Sequence, residues 1–231
     1  MLSSQHSSVK PGDSPEMSRA RRDFLSGGYY KNLADALSDE IRSFEIKNGS
    51  LLDACCGDGY YTSILHENTG LDVYAFDISK DMVKFAAKKN KALNCFVAGI
   101  HSIPLFDGSM DVITRIFAPS NDAEFIRVLK RGGRLITVTP GREHLMELKE
   151  ILYETPYYND EEIKTFDGAA PEKRMRVRNE FRVDGEKALN DLFKMTPYYY
   201  KTSPKDAEKL KGINSLSLTS DFIISEYRIK K

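Results

Sequence analysis

Residues 51–59, LLDACCGDG, are the most informative part of the sequence, because a short apolar segment ends there in an acid and then in two glycines one residue apart. Its two leucines are typical of a buried parallel strand. Gly57 and Gly59 permit backbone torsions and a close ligand approach that larger side chains would block. A helix over 60–66 would then point its free amide groups back at the ligand. The stretch therefore predicts a nucleoside-cofactor site, with a simple tight turn as the alternative.

The next strand supports a ligand that contains adenosine. Residues 71–76 are mostly apolar and end in Asp77, about 20 residues beyond the glycines, where a ribose-binding carboxylate is expected. A dinucleotide-binding loop usually runs G-x-G-x-x-G, whereas here Thr62 takes the place of the third glycine and Asp53 precedes the first. These differences favour S-adenosylmethionine over NAD. An NAD oxidoreductase is the weakest alternative, because no catalytic tyrosine–lysine pair or hydride pocket is evident.

Length and composition limit the function classes. A chain of 231 residues can bury one α/β core with short additions. Its 34 Lys and Arg balance 34 Asp and Glu, so any contact with RNA must use local basic patches. The chain has no run of about 18 apolar residues and no signal-peptide plan, so we expect a cytoplasmic protein without membrane contact. Three cysteines without a C-x-x-C pair indicate reduced thiols and no metal site.

The remaining chain alternates between helical and strand patterns. We expect a flexible tail over 1–13, N-terminal helices over 14–46 and a cofactor-binding domain over 47–231. Ser14 and Ser79 are predicted to cap helices, and one N-terminal helix is predicted to bury a stripe formed by Leu33, Leu37, Ile41 and Phe44. Further strands are predicted over 95–98, 110–118, 134–139, 175–183 and 216–229, and further helices over 122–130, 143–153 and 186–193. A turn is predicted at 131–133 between a helix and a strand. This alternation indicates a Rossmann-like, doubly wound parallel sheet that binds its ligand at the carboxyl ends of the strands.

The glycine loop resembles motif I of class I methyltransferases, D-x-G-x-G-x-G, with Cys55 in place of the first glycine. Other stretches resemble the bacterial large-subunit ribosomal RNA guanine-N1 methyltransferases over nearly the whole chain. They are PGDS at 11–14, EM at 16–17, ARR at 20–22, GDGYYT at 57–62, His101 with Pro104, RIFAP at 115–119, TPG at 139–141, HLMELK at 144–149 and MTP at 195–197. Their order and spacing make this resemblance specific.

The resemblance implies an S-adenosylmethionine-dependent methyltransferase that acts on N1 of a guanine in ribosomal RNA. It implies a seven-stranded, mostly parallel sheet with an antiparallel C-terminal strand. Residue patterns and resemblance together suggest these cofactor contacts: Tyr30, Asp53, Cys55, Gly57, Gly59, Tyr61, Thr62, Asp77, Ile78, Gly99, Ile100 and His144. Gly99 and Ile100 would act through backbone groups, because no acid ends the third strand. Alternatively, the two tyrosines are core residues, Thr62 is a first-turn hydroxyl and His144 lies on a helix surface.

Two departures from the family leave the acceptor open. Family members usually begin with a zinc-binding module of cysteines and a histidine, whereas this chain has no cysteine before Cys55. A small-molecule methyltransferase is therefore the first alternative. The second is a non-catalytic binder of S-adenosylmethionine, which would be favoured if Cys55 narrowed the glycine loop. We expect Cys55 to keep a negative φ, so that the loop stays competent.

Guanine N1 carries a proton at neutral pH, so its methylation needs a base or a group that favours loss of that proton. His101, His144 and Asp58 are the candidates. For RNA contact, Lys173, Arg174, Arg176 and Arg178 would form a basic strand edge. The tyrosines at 198–200 would either stack on an unpaired base or pack as a loop on the sheet. The oligomeric state stays open, a homodimer being one possibility.

Overall fold

The structure is a computed structural model that describes residues 14–161 and 163–230, so the predicted flexible tail over 1–13 lies outside the described residues. Within them, the strands form one seven-stranded sheet in the order β3-β2-β1-β4-β5-β7-β6. The strands are β1 (Ser50–Ala54), β2 (Asp72–Asp77), β3 (Asn94–Val97), β4 (Met110–Ile116), β5 (Leu129–Pro140), β6 (Ala169–Asp184) and β7 (Ser215–Ile229). Their order is that of a doubly wound, Rossmann-like sheet, as predicted.

Helices connect the strands and cover the sheet. They are α1 (Pro15–Ser26), α2 (Lys31–Arg42), α3 (Tyr60–Thr69), α4 (Lys80–Lys89), α5 (Asp122–Val128), α6 (Met146–Leu152), α7 (Glu186–Met195), α8 (Tyr198–Lys201) and α9 (Pro204–Ala207). Helices α1 and α4 begin where the sequence predicts, because the side chains of Ser14 and Ser79 accept hydrogen bonds from backbone amides of the first turn. No helix in the described ranges is long and apolar enough to cross a membrane.

Strand direction places the ligand site. β1 pairs in parallel with β2 on one side and with β4 on the other, so the strand order reverses between β1 and β4. In open α/β sheets, ligands bind at the carboxyl edge beside such a reversal. At the far end of the sheet, β7 is antiparallel to both β5 and β6 and lies between them. This confirms the antiparallel C-terminal strand that the family resemblance implied.

The core lies on both faces of the sheet. Leu51 and Leu52 of β1 are fully buried on opposite faces, as expected of a central parallel strand. The face of Leu51 packs against apolar residues of α1, α2, α3 and α7, which include the predicted stripe of α2. The face of Leu52 packs against Phe125 and Val128 of α5. The sheet is therefore covered on both sides, and its carboxyl edge is left for the site.

Several predicted boundaries are wrong. The helix predicted over 122–130 ends at Val128, because the chain joins β5 at Leu129. The turn predicted at 131–133 lies inside β5, where the pairing with β4 shifts register and Gly132 has a φ of 74°. The helix predicted over 143–153 begins only at Met146, because Leu145 has a φ of 54°. β6 is longer than 175–183, because it pairs with β7 along its whole length.

Candidate cofactor-binding site

The glycine loop leads from β1 into α3 and is held by backbone contacts. The amide of Cys56 donates to the carbonyl of Phe76 at 2.9 Å. Gly57 and Gly59 have φ values of 56° and 77°, a region that favours glycine. A Cβ added at Gly57 would meet no atom within 4 Å, so the space above it is open to a ligand. A Cβ at Gly59 would lie 2.7 Å from the Cβ of Ala86, so Gly59 permits close packing of α3 on α4.

Asp77 ends β2 at the position that the sequence predicts. Its Oδ2 accepts from the amide of Gly57 at 3.0 Å, and its Oδ1 accepts from the amide of Ser79 at 2.8 Å. The carboxylate therefore faces the glycine loop and can accept further hydrogen bonds from ribose hydroxyls. Ile78 beside it is 45% exposed, and a Cβ added at Gly99 would meet no atom within 4 Å. An exposed apolar side chain beside open space suits the flat face of an adenine.

Asp53 lies inside the fold beneath the loop. Its Oδ2 accepts from the hydroxyl of Thr62 at 2.5 Å, and its Oδ1 accepts from the hydroxyl of Thr114 at 2.9 Å. Burial raises the pKa of Asp53 to about 6. The hydroxyl of Thr62 therefore supports Asp53 at the start of α3. Thr114 also supports Asp53. This role was not predicted from the sequence, because the only indication of it is a hydroxyl-bearing residue in a mostly apolar strand, β4.

Two tyrosines have buried hydroxyl groups that are unsatisfied. Tyr30 precedes α2, Tyr61 lies in the first turn of α3, and neither hydroxyl has a hydrogen-bond partner within 14–161 and 163–230. Burial raises the pKa of both phenols, so both keep their protons at neutral pH. An unpaired buried hydroxyl costs free energy that a polar ligand can recover. The two hydroxyls thus fit the polar, amino-acid end of S-adenosylmethionine.

His144 is buried rather than on a helix surface, and it lies in the turn before α6. Its ring centroid is 4.7 Å from that of Phe222 and 6.0 Å from that of Tyr30. Its Nδ1 accepts from the amide of Asp221 at 3.3 Å. Burial lowers the pKa of His144 to about 3, so the ring is neutral at pH 7. The structure therefore brings His144 and Tyr30 together, and their contact with the cofactor stays a prediction.

The expectation of a negative φ at Cys55 is wrong. Cys55 has a φ of 60°, because the chain must turn sharply between β1 and the glycine loop. A non-glycine residue in this region stores strain of about 1 to 3 kcal/mol. Burial raises the pKa of its thiol to about 12, so the side chain stays protonated and unreactive at neutral pH.

The predicted basic strand edge is neutralised by acids. Every basic residue proposed there has a carboxylate partner: Lys173 with Glu40, Arg174 with Glu161, Arg176 with Glu161 and Asp221, and Arg178 with Glu143. The reason is that α2, the turn before α6, the segment before β6 and β7 all place acids against this strand. The tyrosines at 198–200 form α8 instead of a loop, with Tyr198 buried and Tyr200 65% exposed.

Two further features of the described residues, possible metal ligands and a groove, do not indicate a different cofactor site. No group of three or more His, Cys, Asp or Glu residues within the described ranges could hold a metal ion. A groove of about 310 Å³ runs between α1 and α7, but none of the predicted cofactor residues lines it. The carboxylate of Asp77, the open space above Gly57 and the unsatisfied hydroxyls all lie at or near the carboxyl edge instead. The described residues therefore fit S-adenosylmethionine at that edge.

Comparisons with known proteins agree with this geometry. Residues 51–133 match the family described as "Methyltransferase domain". YxjB of Bacillus subtilis, a candidate 23S rRNA (guanine-N1) methyltransferase, is 34% identical over an alignment of 232 positions, which covers 92% of this chain and 79% of YxjB. The 23S rRNA (guanine(748)-N1) methyltransferase of Streptomyces fradiae is 28% identical over 92% of this chain and 80% of its own length.

Among solved structures, a candidate methyltransferase from Bacillus halodurans shares the fold. Its TM-score is 0.53 at 16% sequence identity, over 84% of this chain and 99% of that chain. The matches to the sequence family, to YxjB and to this fold agree on an S-adenosylmethionine-dependent methyltransferase. The chain belongs to the family of 23S rRNA (guanine-N1) methyltransferases, within the class I S-adenosylmethionine-dependent methyltransferases.

Proposed function

We propose that this methyltransferase acts on N1 of a guanine in large-subunit ribosomal RNA. The observation that carries the proposal is the 34% identity to YxjB, which runs through 92% of the chain and so includes residues beyond the cofactor site. Sequence similarity confined to the glycine loop would support only the identity of the cofactor and not that of the methyl acceptor. Bacterial ribosomal RNA is modified in the cytoplasm, and we propose the same location for this protein.

The proposed cofactor contacts follow from the site. Asp77 would accept from the ribose hydroxyls, and the hydroxyls of Tyr30 and Tyr61 would donate to the methionine carboxylate. Gly57 would leave room for the ligand beside the loop. S-adenosylmethionine supplies a methyl group on a positively charged sulfur. The protein contributes position and a dry pocket, because methyl transfer requires the acceptor nitrogen in line with the sulfur–carbon bond.

Methylation at guanine N1 forms one nitrogen–carbon bond, breaks one sulfur–carbon bond and releases the N1 proton. Of the candidate bases, His101 is the best placed, because it is exposed on the loop that follows β3 at the carboxyl edge. Its Nδ1 accepts from Nδ2 of Asn121 at 2.8 Å, so this exposed contact must break before Nδ1 can take a proton. His144 is less suited because it is buried. Asp58 is buried and accepts from the amide of Tyr60.

The decisive experiment incubates the purified protein with unmodified large-subunit ribosomal RNA made by transcription, with S-adenosylmethionine labelled in its methyl group. Nucleosides from the digested RNA are then analysed by mass spectrometry. We expect labelled 1-methylguanosine at one position. His101→Gln should lower the rate while cofactor affinity stays unchanged, and the loss should shrink as the pH rises. Absence of label in any RNA, with bound cofactor shown by calorimetry, would rule the RNA substrate out.

A small-molecule acceptor is the second candidate. The ion pairs along β6 favour it, because they leave this edge with little free positive charge for RNA. A methyl-transfer assay on a fractionated metabolite extract separates the two candidates. Label that enters a metabolite fraction but no RNA would favour the small-molecule acceptor.

A further inference from the structure

Phe117 is an exposed aromatic residue at the point where the strand order reverses. It directly follows β4, whose neighbours are β1 and β5. Its side chain is 44% exposed. The paired residue of β1 opposite Arg115 is Ala54, so the chain leaves β4 beside the start of the glycine loop. Phe117 therefore stands at the carboxyl edge next to the loop that borders the cofactor site.

The backbone of Phe117 is held in an unfavourable conformation. Its φ is 53°, a region where an L-residue with a bulky side chain is strained. The amide of Phe117 donates to the carbonyl of Val138 in β5 at 3.2 Å. Nη1 of Arg115 donates to the carbonyl of Ala118 at 2.8 Å, which fixes the residue that follows. When surrounding contacts hold the backbone of a residue in a strained conformation and its side chain is exposed, a function for that side chain is indicated.

One part of the Phe117 ring is supported and the rest is open. Its centroid lies 5.3 Å from that of Phe222, which is fully buried. Phe222 in turn contacts His144 and, at 4.9 Å, Tyr30. A chain of packed rings thus runs from the predicted cofactor residues to the exposed ring. Such a ring is a rigid, flat, apolar surface, and planar bases stack on surfaces of this kind.

We propose that Phe117 is the stacking platform for the methyl-acceptor base, an unpaired guanine, and orients its N1 edge toward the cofactor site. This inference rests on the proposed function, because it assumes a base as the acceptor. The stacking of one base on an aromatic side chain accounts for about a 5- to 150-fold difference in affinity. Phe117 thus determines acceptor binding and contributes nothing to cofactor affinity.

The test compares three variants of the full chain. Phe117→Leu removes the aromatic ring and keeps an apolar side chain, whereas Phe117→Tyr keeps the ring. Phe106→Leu is the matched control, because Phe106 is 88% exposed and lies before β4, near the amino end of that strand. The readouts are kcat/KM for the RNA substrate, cofactor affinity by calorimetry and folding by circular dichroism.

Phe117→Leu should lower kcat/KM for RNA by about 10- to 100-fold, mainly through KM, with cofactor affinity unchanged. Phe106→Leu should behave like wild type, and Phe117→Tyr should recover most of the kcat/KM that Phe117→Leu loses, because it keeps the ring. If Phe117→Leu does not fold, Phe117→Asn replaces it, because asparagine tolerates a positive φ and still removes the ring.

Wild-type kcat/KM in a folded Phe117→Leu or Phe117→Asn protein would overturn the inference and leave the proposed function intact. An equal loss of cofactor affinity would also overturn it, because Phe117 would then belong to the cofactor site. A wild-type protein that methylates no RNA would instead reject the proposed function, and the inference with it.

Discussion

Oδ2 of Asp77 accepts a hydrogen bond from the amide of Gly57 at 3.0 Å, which ties the end of β2 to the glycine loop of β1. The acid predicted to bind the ribose therefore also shapes the loop. Oδ1 of the same carboxylate accepts from the amide of Ser79, next to the start of α4. One side chain thus joins both strand ends that border the adenosine part of the site.

The first prediction concerns Asp77. Asp77→Ala should lower cofactor affinity by about 1 to 3 kcal/mol, because the acceptors for the ribose hydroxyls are lost. The protein should still fold, with stability lowered by about 1 to 3 kcal/mol, because the amides of Gly57 and Ser79 lose their acceptor. Calorimetry measures the affinity and urea unfolding the stability. Asp77→Asn is the control that keeps one acceptor oxygen. Its cofactor affinity and its stability should lie between those of wild type and Asp77→Ala. A folded Asp77→Ala protein with wild-type affinity would show that another group binds the ribose.

The second prediction concerns the strain at Cys55. Cys55→Gly should raise the free energy of unfolding by about 0.5 to 2 kcal/mol, because relief of the positive φ outweighs the added entropy of the unfolded chain. Cys55→Ala keeps the Cβ and the strain, so it should not gain stability. Cofactor affinity should change by less than about threefold in either variant. Urea unfolding at equilibrium measures the difference, and equal stabilities for the glycine and alanine variants would refute the strain.

The third prediction separates the two glycines of the loop. Gly59→Ala should destabilise the fold by more than about 2 kcal/mol, because the new Cβ meets the backbone of Ala86. Gly57→Ala meets open space, so only the strain of its positive φ, about 1 kcal/mol, should lower stability. Its main effect should be weaker cofactor binding, because the Cβ points into the ligand space. Thermal unfolding with and without S-adenosylmethionine distinguishes the two. Equal destabilisation by both variants would contradict the separate roles.

The fourth prediction concerns pH and Asp53. The folded state raises the pKa of Asp53 from its ordinary 3.8 to about 6, so between these values the folded chain keeps a proton that the unfolded chain has released. The contribution of Asp53 to stability is therefore fully present below about pH 4 and is lost as the pH rises to about 6, by about 1 to 3 kcal/mol. Asp53→Asn should lack this loss, so its stability relative to wild type should rise from pH 4 to pH 7. Urea unfolding at several pH values measures the difference. A constant difference between the two proteins would show that Asp53 is ionised in the fold.

Local sequence patterns predicted the positions of the glycine loop and of Asp77 at the carboxyl edge of the sheet. The glycine loop and Asp77 lie where the spacing placed them, because a parallel strand pair brings residues about 20 positions apart to the same edge. The starts of α1 and α4 were also predicted, since each depends on a serine whose side chain caps the helix within its own first turn. Features of this kind depend on neighbours in the sequence.

Features that depend on distant residues were missed. The hydroxyl that supports Asp53 comes from Thr114, 61 positions away, and no sequence spacing marks it. The acids that neutralise the basic residues of β6 come from α2, from the turn before α6 and from the segment before β6. The left-handed turn at Cys55 was also missed, because cysteine rarely adopts a positive φ and its identity gave no warning.

The position of β7 makes the packing around Tyr30 and His144 depend on a strand that follows all other strands of the described sheet. Among the residues that the structure describes, β6 pairs with β7 alone, and the amide that donates to His144 belongs to Asp221 in β7. The ring that packs against Tyr30 and Phe117 is Phe222, also in β7. β6 cannot join the sheet before β7 does, because β7 lies between β5 and β6. The contacts that hold His144 and Phe222 beside Tyr30 therefore form only when the antiparallel end of the sheet has closed.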